Sequence, residues 1–179
     1  SGAGGNYATA STDDAIAVGQ DASATGRGGI AVGRKSNAVH NALSIGWIAS
    51  ATTKGAIAIG SALEEPGVSG QKEVVSDGFY SIAIGGASKS SGTTSVALGV
   101  KSSASEDSAI AIGSSSISDK TSAIALGRNT NANGENSSAI GAYSTAGDTD
   151  ATALGRNANA TAAQSTALGT YSVASGQYG

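Results

Sequence analysis

Residues 123–127 read Ala123-Ile124-Ala125-Leu126-Gly127, and close variants of this stretch recur through almost the whole chain. We call the closing glycine of each copy the anchor and number positions from it as zero. The anchors are Gly19, Gly33, Gly46, Gly60, Gly85, Gly99, Gly113, Gly127, Gly141, Gly155 and Gly169. Neighbouring anchors lie fourteen positions apart, except for an interval of thirteen before Gly46 and one of twenty-five before Gly85. This regular period indicates a protein built from stacked repeats, with Gly5 as the anchor of a degenerate first copy.

The motif alternates large and small side chains, as a β-strand does. Position −1 is aliphatic in every copy, and position −2 is alanine in every copy except at Ser44. Position −3 is aliphatic in eight copies and then becomes Ser138, Thr152 and Thr166. Because both faces are apolar or small, we expect a strand that is covered on both sides.

A second short strand is predicted after each anchor, because positions +3 and +5 carry only small side chains such as Ala22, Ala24 and Ala132. Two strands and two turns within one repeat of this length leave no room for a helix. The repeat therefore predicts an all-β fold, a parallel β-solenoid of twelve coils and about 55 Å in length. The anchors are expected to have positive φ or to meet neighbouring backbone closely.

One face of the first strand must fill the coil, and the other then remains as an apolar surface along the rod. The alternation does not say which face is which. An exposed apolar surface of that extent predicts a partner, and identical rods arranged with cyclic symmetry supply one.

The composition narrows the classes of function. The net charge of −3 gives no electrostatic basis for binding nucleic acid or an anionic membrane. The absence of cysteine removes disulfides and thiolate metal sites, and we expect neither a cofactor nor a catalytic centre. No signal peptide or membrane span is predicted.

The long interval before Gly85 contains an insertion, which we place at about residues 63–78. It contains the only proline and has glycines that suit a hairpin. Insertions in solenoids project from one face and often bind ligands, although a plain surface loop is also compatible with the sequence. Its charged residues Glu64, Glu65, Lys72 and Glu73 are candidate ligand contacts.

Several other positions lead to specific expectations. Arg128 and Arg156 share position +1 two coils apart, about 10 Å by strand spacing, and are further candidate ligand contacts unless they belong to a solvated turn. His40 is predicted to be a turn residue and Trp47 a packed or half-exposed loop residue. Ser115, near a turn, is expected to impose no special backbone demand, which would make it a neutral control for its neighbouring anchor, Gly113.

The repeated S-[IV]-A-[IL]-G motif, followed by small residues, resembles the YadA-like heads of trimeric autotransporter adhesins over about residues 15–179. The resemblance implies a left-handed parallel β-roll, a homotrimer and a single head domain over 1–179. It also implies display outside a Gram-negative bacterium, on a stalk and outer-membrane anchor that this chain lacks, so that trimerisation would rest on the head. The implied activity is non-catalytic adhesion to extracellular-matrix proteins or cell-surface receptors, with autoaggregation between bacteria as a further activity.

Two other functions are weighed against adhesion. Solenoid acyltransferases of the hexapeptide type need a catalytic base, and this chain has one histidine and a different period. An ice-binding solenoid needs an unbroken threonine ladder, and Ile124 and Ser138 interrupt the row that contains Thr152 and Thr166.

Overall fold

The computed structural model describes residues 1–63 and 72–176, and in this part of the chain the only regular elements are β-strands. In chain order the strands are β1 Gly2–Gly4, β2 Thr9–Ala10, β3 Ile16–Val18, β4 Ser23–Ala24, β5 Ile30–Val32, β6 Asn37–Ala38, β7 Leu43–Ile45, β8 Ala49–Ala51, β9 Ile57–Ile59, β10 Val74–Ser76, β11 Ile82–Ile84, β12 Lys89–Ser90, β13 Val96–Leu98, β14 Ser103–Ala104, β15 Ile110–Ile112, β16 Ile117–Ser118, β17 Ile124–Leu126, β18 Asn131–Ala132, β19 Ser138–Ile140, β20 Thr145–Ala146, β21 Thr152–Leu154, β22 Asn159–Ala160, β23 Thr166–Leu168 and β24 Val173–Ala174.

The strands form two parallel sheets of 12 strands each, which confirms the predicted solenoid. The odd-numbered strands make the first sheet and the even-numbered strands make the second. Each strand pairs with its counterpart one coil away, as when Ile110 of β15 lies opposite Ile124 of β17. The degenerate first coil is confirmed as well, because Gly2 of β1 lies opposite Ile16 of β3.

Two tight turns join the sheets in each coil, and both have the same geometry. In the first turn the Ser116 amide donates to the Gly113 carbonyl at 3.4 Å, and in the second the Ala123 amide donates to the Lys120 carbonyl at 3.1 Å. The third residue of each turn has positive φ, 55° at Ser115 and 57° at Ser122. This is the backbone pattern of a type II turn, which usually places glycine or asparagine at that residue.

The expectation that Ser115 imposes no special backbone demand is therefore wrong. Its φ of 55° lies in the left-handed region, where a β-branched side chain is strained. Ser114, the preceding turn residue, is exposed and is not among the residues with positive φ. Ser114 is thus the better control for a substitution at Gly113.

The anchor glycines have the positive φ predicted for them, and every anchor except Gly169 also lies close to the backbone of the next coil. All twelve, including Gly5, have φ between 112° and 140°. A Cβ atom built on Gly113 would lie 2.6 Å from the carbonyl carbon of Gly127, the anchor of the next coil. Side chains are excluded here by the stacking of successive coils as well as by the local φ.

The interior of the coil is filled by alanine, serine and threonine. Ala125 at position −2 and Ala132 at position +5 are fully buried. Several interior hydroxyls donate to nearby main-chain carbonyls, as Ser116 Oγ does to Gly113 at 2.9 Å and Ser44 Oγ does to Ala49 at 2.7 Å. The question left open by the alternation is thereby resolved, because the small face fills the coil and the aliphatic face points outward.

The insertion is shorter than the predicted span of 63–78. Val74–Ser76 forms β10, a regular strand of the second sheet that lies opposite Ala49–Ala51. At the base of the insertion, Leu63 and Lys72 exchange backbone hydrogen bonds of 3.0 and 3.3 Å, as the arms of a hairpin do. The extra residues therefore lie between Ala62 and Val74, and residues 64–71 among them lie outside the described part of the chain.

Candidate functional site

The outward side chains of the first sheet, at positions −3 and −1, form two rows along the rod, which together we call the aliphatic stripe. Ile112 is 38 % exposed and Leu154 is 42 % exposed, although both belong to regular strands. At the C-terminal end the −3 position changes from Ile124 to Ser138, and Thr152 and Thr166 continue in the same register. The three hydroxyl residues interrupt only one of the two rows.

The outward face of the second sheet has a different character. Position +4 carries mostly polar side chains, and the exceptions are Val75, Ile117 and Val173. The polar members are Thr9, Ser23, Asn37, Ser50, Lys89, Ser103, Asn131, Thr145 and Asn159. The exposed aliphatic surface is therefore concentrated on one side of the rod, which is the arrangement expected of an assembly surface.

Arg128 and Arg156 lie on the first-turn edge of the rod, and each stacks on an aromatic ring of the following coil. The guanidinium of Arg128 lies 4.9 Å from the ring centroid of Tyr143, and that of Arg156 lies 4.8 Å from the ring centroid of Tyr171. At such distances the cation is attracted to the π-face of the ring. The structure thus places the two predicted arginines on one edge, within a row of alternating arginine and tyrosine.

The aromatic members of this edge were missed in the sequence, although a signal was present. Tyr143 and Tyr171 both occupy position +2, one coil after an arginine at position +1. Trp47 takes a related place, because the guanidinium of Arg34 lies 4.9 Å from the ring centroid of Trp47. Trp47 is half-buried in a turn, as predicted. Comparing the turn positions between coils would have revealed these pairs.

The predicted ligand contacts of the insertion are only partly described. Lys72 and Glu73 are exposed beside the second sheet and lie along an open groove of about 450 Å³. The groove is lined by Lys72, Glu73, Val75, Asp77, Ala87 and Lys89. Its charges are mixed, and the structure does not bring these residues near Arg128 or Arg156. Glu64 and Glu65 lie outside the described residues.

Two searches of the described residues concern metals and membranes. In residues 1–63 and 72–176, no group of three or more His, Cys, Asp or Glu side chains is arranged to hold a metal ion. Within the same ranges, no helix has the length and apolar character needed to cross a membrane. His40, the single histidine of the sequence, is an exposed residue of a second turn, as predicted.

Comparison with protein families agrees with this geometry. The model of the YadA head domain repeat matches most of the chain in six segments. The matched segments are residues 3–22, 40–62, 76–100, 90–116, 118–144 and 149–172. The chain belongs to the YadA head domain repeat family. No curated protein matches the chain.

YadA head domains are adhesin modules that generally lack enzymatic activity and are exposed at the surface of Gram-negative bacteria. The repeat structure of this YadA head agrees with that role, because its recurring features are stacking glycines and small core residues rather than reactive groups. Two stretches between matched segments are residues 23–39 and residues 63–75. The second coincides with the insertion, and the first extends into the shortened interval between Gly33 and Gly46.

Proposed function

We propose that this chain is the head of a trimeric surface adhesin and that three copies assemble by burying their aliphatic stripes against one another. The observation that supports this proposal is the aliphatic stripe. Side chains such as Ile112 and Leu154 belong to regular strands and are nevertheless partly exposed along one side of the rod. Soluble monomers rarely expose a contiguous apolar surface of this extent. Three left-handed β-rolls around a common axis are the assembly that the family suggests.

In this arrangement the outer surface of the trimer is available to receptors on host cells or in the extracellular matrix. Display at the surface of a Gram-negative bacterium, through an anchor outside this chain, places that surface where it meets a host. We propose that the exposed charges Lys72, Glu73, Arg128 and Arg156 contribute to the contacts, and that Glu64 and Glu65 are further contacts. Contacts between heads on different cells would produce autoaggregation.

Light scattering on the purified chain tests the assembly. The unmodified chain is expected to be a trimer at micromolar concentration, and Ile112→Glu combined with Leu126→Glu is expected to yield monomers that keep their β circular dichroism signal. The matched control is Asn131→Glu combined with Asn159→Glu, which adds the same charge to the outward face of the second sheet. A stable monomer of the unmodified chain would contradict the proposal, as would equal dissociation of the control.

Binding of the trimer to surfaces tests the adhesive part. Beads coated with the chain are expected to attach to immobilised matrix proteins or to cultured cells, and beads coated with the monomeric double variant are expected to attach less. Arg128→Ser combined with Arg156→Ser should reduce attachment without changing the mass of the trimer. Absence of attachment to every matrix protein and cell type would overturn the adhesive function and leave the trimer standing.

A further inference from the structure

The second-turn edge of the rod has a groove of about 590 Å³ near the N-terminal end. It is open along one side and lies on four successive coils. The lining residues are Arg27, Val39, His40, Asn41, Thr52, Thr53, Lys54 and Phe79. None of them carries a carboxylate. The volume of the groove is large enough to hold a small molecule of the usual size.

The groove arises where one coil is a residue shorter than its neighbours. In the coil before it, Thr25 separates the buried Ala24 from the second turn, and in the coil after it, Thr52 does the same for Ala51. In the short coil the turn begins directly after Ala38, since the Ala42 amide donates to the Val39 carbonyl at 3.1 Å. The groove lies along this turn and the turns on either side of it.

The preceding turn packs closely on the turn of the short coil. A Cβ atom on Gly26 would lie 2.6 Å from Cα of His40, and one on Gly29 would lie 2.7 Å from the carbonyl oxygen of Val39. The glycines at these positions allow the two turns to pack backbone against backbone, so the main chain beneath His40 is held firmly in place.

The groove also has two positive charges, those of Arg27 and Lys54, on either side of His40. Arg27, His40 and Lys54 occupy the second residue of three successive turns, at position −6, so that their Cα atoms are about 5 Å apart along the rod. Elsewhere in the described chain, no second turn has a basic residue at this position. The same position in the other coils carries Asp13, Phe79, Thr93, Asp107, Thr121, Glu135, Thr149 and Ala163. Only Asp13, one coil beyond Arg27, places a carboxylate at this position beside the basic run.

An aromatic surface closes the other end of the groove. Phe79 is 54 % exposed, and the adjoining Tyr80 is 55 % exposed. The Tyr80 ring lies against the turn that holds Lys54, because a Cβ atom on Gly55 would be 2.5 Å from Cδ1 of that ring. Asn41 and Thr52 are exposed between the basic and the aromatic parts and offer uncharged hydrogen-bonding groups.

We propose that this groove binds an anionic saccharide, with its sulfate or carboxylate groups on Arg27, His40 and Lys54 and a sugar ring against Phe79. Arginine and lysine form charge-assisted hydrogen bonds with such groups, and in a protein of net charge −3 a local basic run attracts anions selectively. Clusters of basic side chains also recognise acidic peptides, but the exposed ring of Phe79 and the uncharged Asn41 and Thr52 suit a sugar ring and its hydroxyls, which favours the saccharide. The stretch 23–39, which includes Arg27 and Val39, lies outside the matched family segments.

The inference deepens the proposed adhesive function by naming a class of receptor, and it rests on that function only for its biological meaning. Affinity is measured on the purified full-length chain by fluorescence anisotropy, with a labelled sulfated hexasaccharide of the heparin type and with its desulfated counterpart. We expect binding of the sulfated probe that weakens with added salt. Arg27→Ser combined with Lys54→Ser should raise the Kd at least tenfold.

Two further variants test whether binding depends on the shape of the groove or only on the positive charge of the chain. Lys120→Ser combined with Lys101→Ser removes the same charge from outside the groove and should change the Kd less than twofold. Insertion of one threonine between Ala38 and Val39 gives the short coil the ordinary length while it keeps all three basic side chains. If this variant retains its circular dichroism spectrum, its Kd should rise at least fivefold.

Specific outcomes overturn the inference. Equal weakening in the two charge-removing pairs would show that bulk charge alone attracts the probe, and an unchanged Kd after the threonine insertion would show that the groove is not the site. Binding of hexaglutamate as tight as that of the sulfated probe would assign the groove to acidic peptides. Attachment of coated beads to cells that is unaffected by loss of saccharide binding would leave the adhesive function intact and refute only this receptor class.

Discussion

At the scale of single residues, a regular coil has positive φ at three positions, which are the anchor and the third residue of each turn. The anchor demand is met by glycine alone, because a side chain would collide with the next coil. The turn positions accept other residues as well, since Asn129, Asn136 and Asp150 have positive φ there. Ile48 has positive φ too. Left-handed conformations cost about 1–2 kcal/mol for most residues, and asparagine and aspartate tolerate them best. The strain at Ile48 is compensated by the surrounding hydrogen bonds and packing.

Valine substitutions at three neighbouring residues are expected to rank these demands. Gly113→Val should lower the melting temperature most, because strain of about 1–3 kcal/mol is joined by the collision with Gly127. Ser115→Val should have an intermediate effect of about 1–2 kcal/mol, since a β-branched residue would occupy a left-handed position. Ser114→Val should have almost none. Thermal unfolding followed by circular dichroism measures the order, and equal melting temperatures for the Gly113 and Ser114 variants would contradict the role assigned to the anchor.

The anchors could be predicted from the sequence, and the turn residues could not, for a physical reason. An excluded Cβ atom leaves glycine as the only solution, so that the requirement is visible in every copy. A left-handed residue admits many side chains at moderate cost, so Ser115 and Ser122 give no signal on their own. The trace of it in the sequence is the presence of glycine, asparagine or aspartate at the same turn positions in other coils, as at Gly28, Asn129 and Asp150.

At the scale of elements, the strands rather than the turns set the register of the rod. β6 pairs with β8 across the short coil, and β8 pairs with β10 across the insertion, with the same partners that a plain repeat would have. Each strand is only two or three residues long, and each therefore depends on its neighbours above and below in the sheet. The missing residue of the short coil and the extra residues of the insertion both lie between strands, so the pairing of the strands is unchanged.

Deletion of residues 63–73 is expected to restore an ordinary coil. It would join Ala62 to Val74, give the interval between Gly60 and Gly85 the same length as its neighbours and keep β10 in place. The variant should remain folded, with a melting temperature within a few degrees of the parent, as measured by circular dichroism.

The matched control for this deletion removes residues 66–76. It deletes the same number of residues and restores the same interval, but it replaces β10 with Leu63-Glu64-Glu65. Glu65 would then occupy the interior position held by Ser76, where an unpaired carboxylate is costly. Clear destabilisation of the control alone is expected. Unfolding of the 63–73 deletion would show that the extra residues are part of the structure of the rod.

The candidate surfaces show the same division between what was predictable and what was not. The need for an aliphatic face and a small face follows directly from the alternation, but the choice of inner face depends on the width of the coil. Two tight turns bring the sheets so close that only small side chains fit, as at Ala125 and Ser116. The basic groove depends on side chains that successive turns place beside one another, and a missing residue in the sequence does not reveal that a groove lies along them.

At the scale of the whole molecule, the rod is a one-dimensional stack in which hydrogen bonds between coils run along its length. A coil in the middle has two neighbours, and a coil at either end of the described chain has one. In such a stack, local stability is approximately the sum of the coil's own contribution and its nearest-neighbour interfaces. The end coils are therefore expected to have lower local stability than the coils in the middle.

Hydrogen exchange is expected to report this gradient along the purified chain. Amides of β15 and β16 should be the most protected, and those of β1 and β24 should exchange orders of magnitude faster, because local opening of a terminal coil breaks one interface instead of two. Mass spectrometry of peptic fragments measures the profile. Uniform protection from end to end would show that the rod opens only as a single cooperative unit.

The tolerance of the two sheets for one shortened coil and for one lengthened interval has a consequence for the gene. In-frame gains or losses of codons that fall between the strands leave both ladders intact, so mutation can remodel the corners of the rod without reassigning a single strand. Duplication of one coil's worth of codons would lengthen the rod by one rung and carry the aliphatic stripe along with it. Such a gene can vary the turns and loops at the surface of the rod while it conserves the pairing of both sheets.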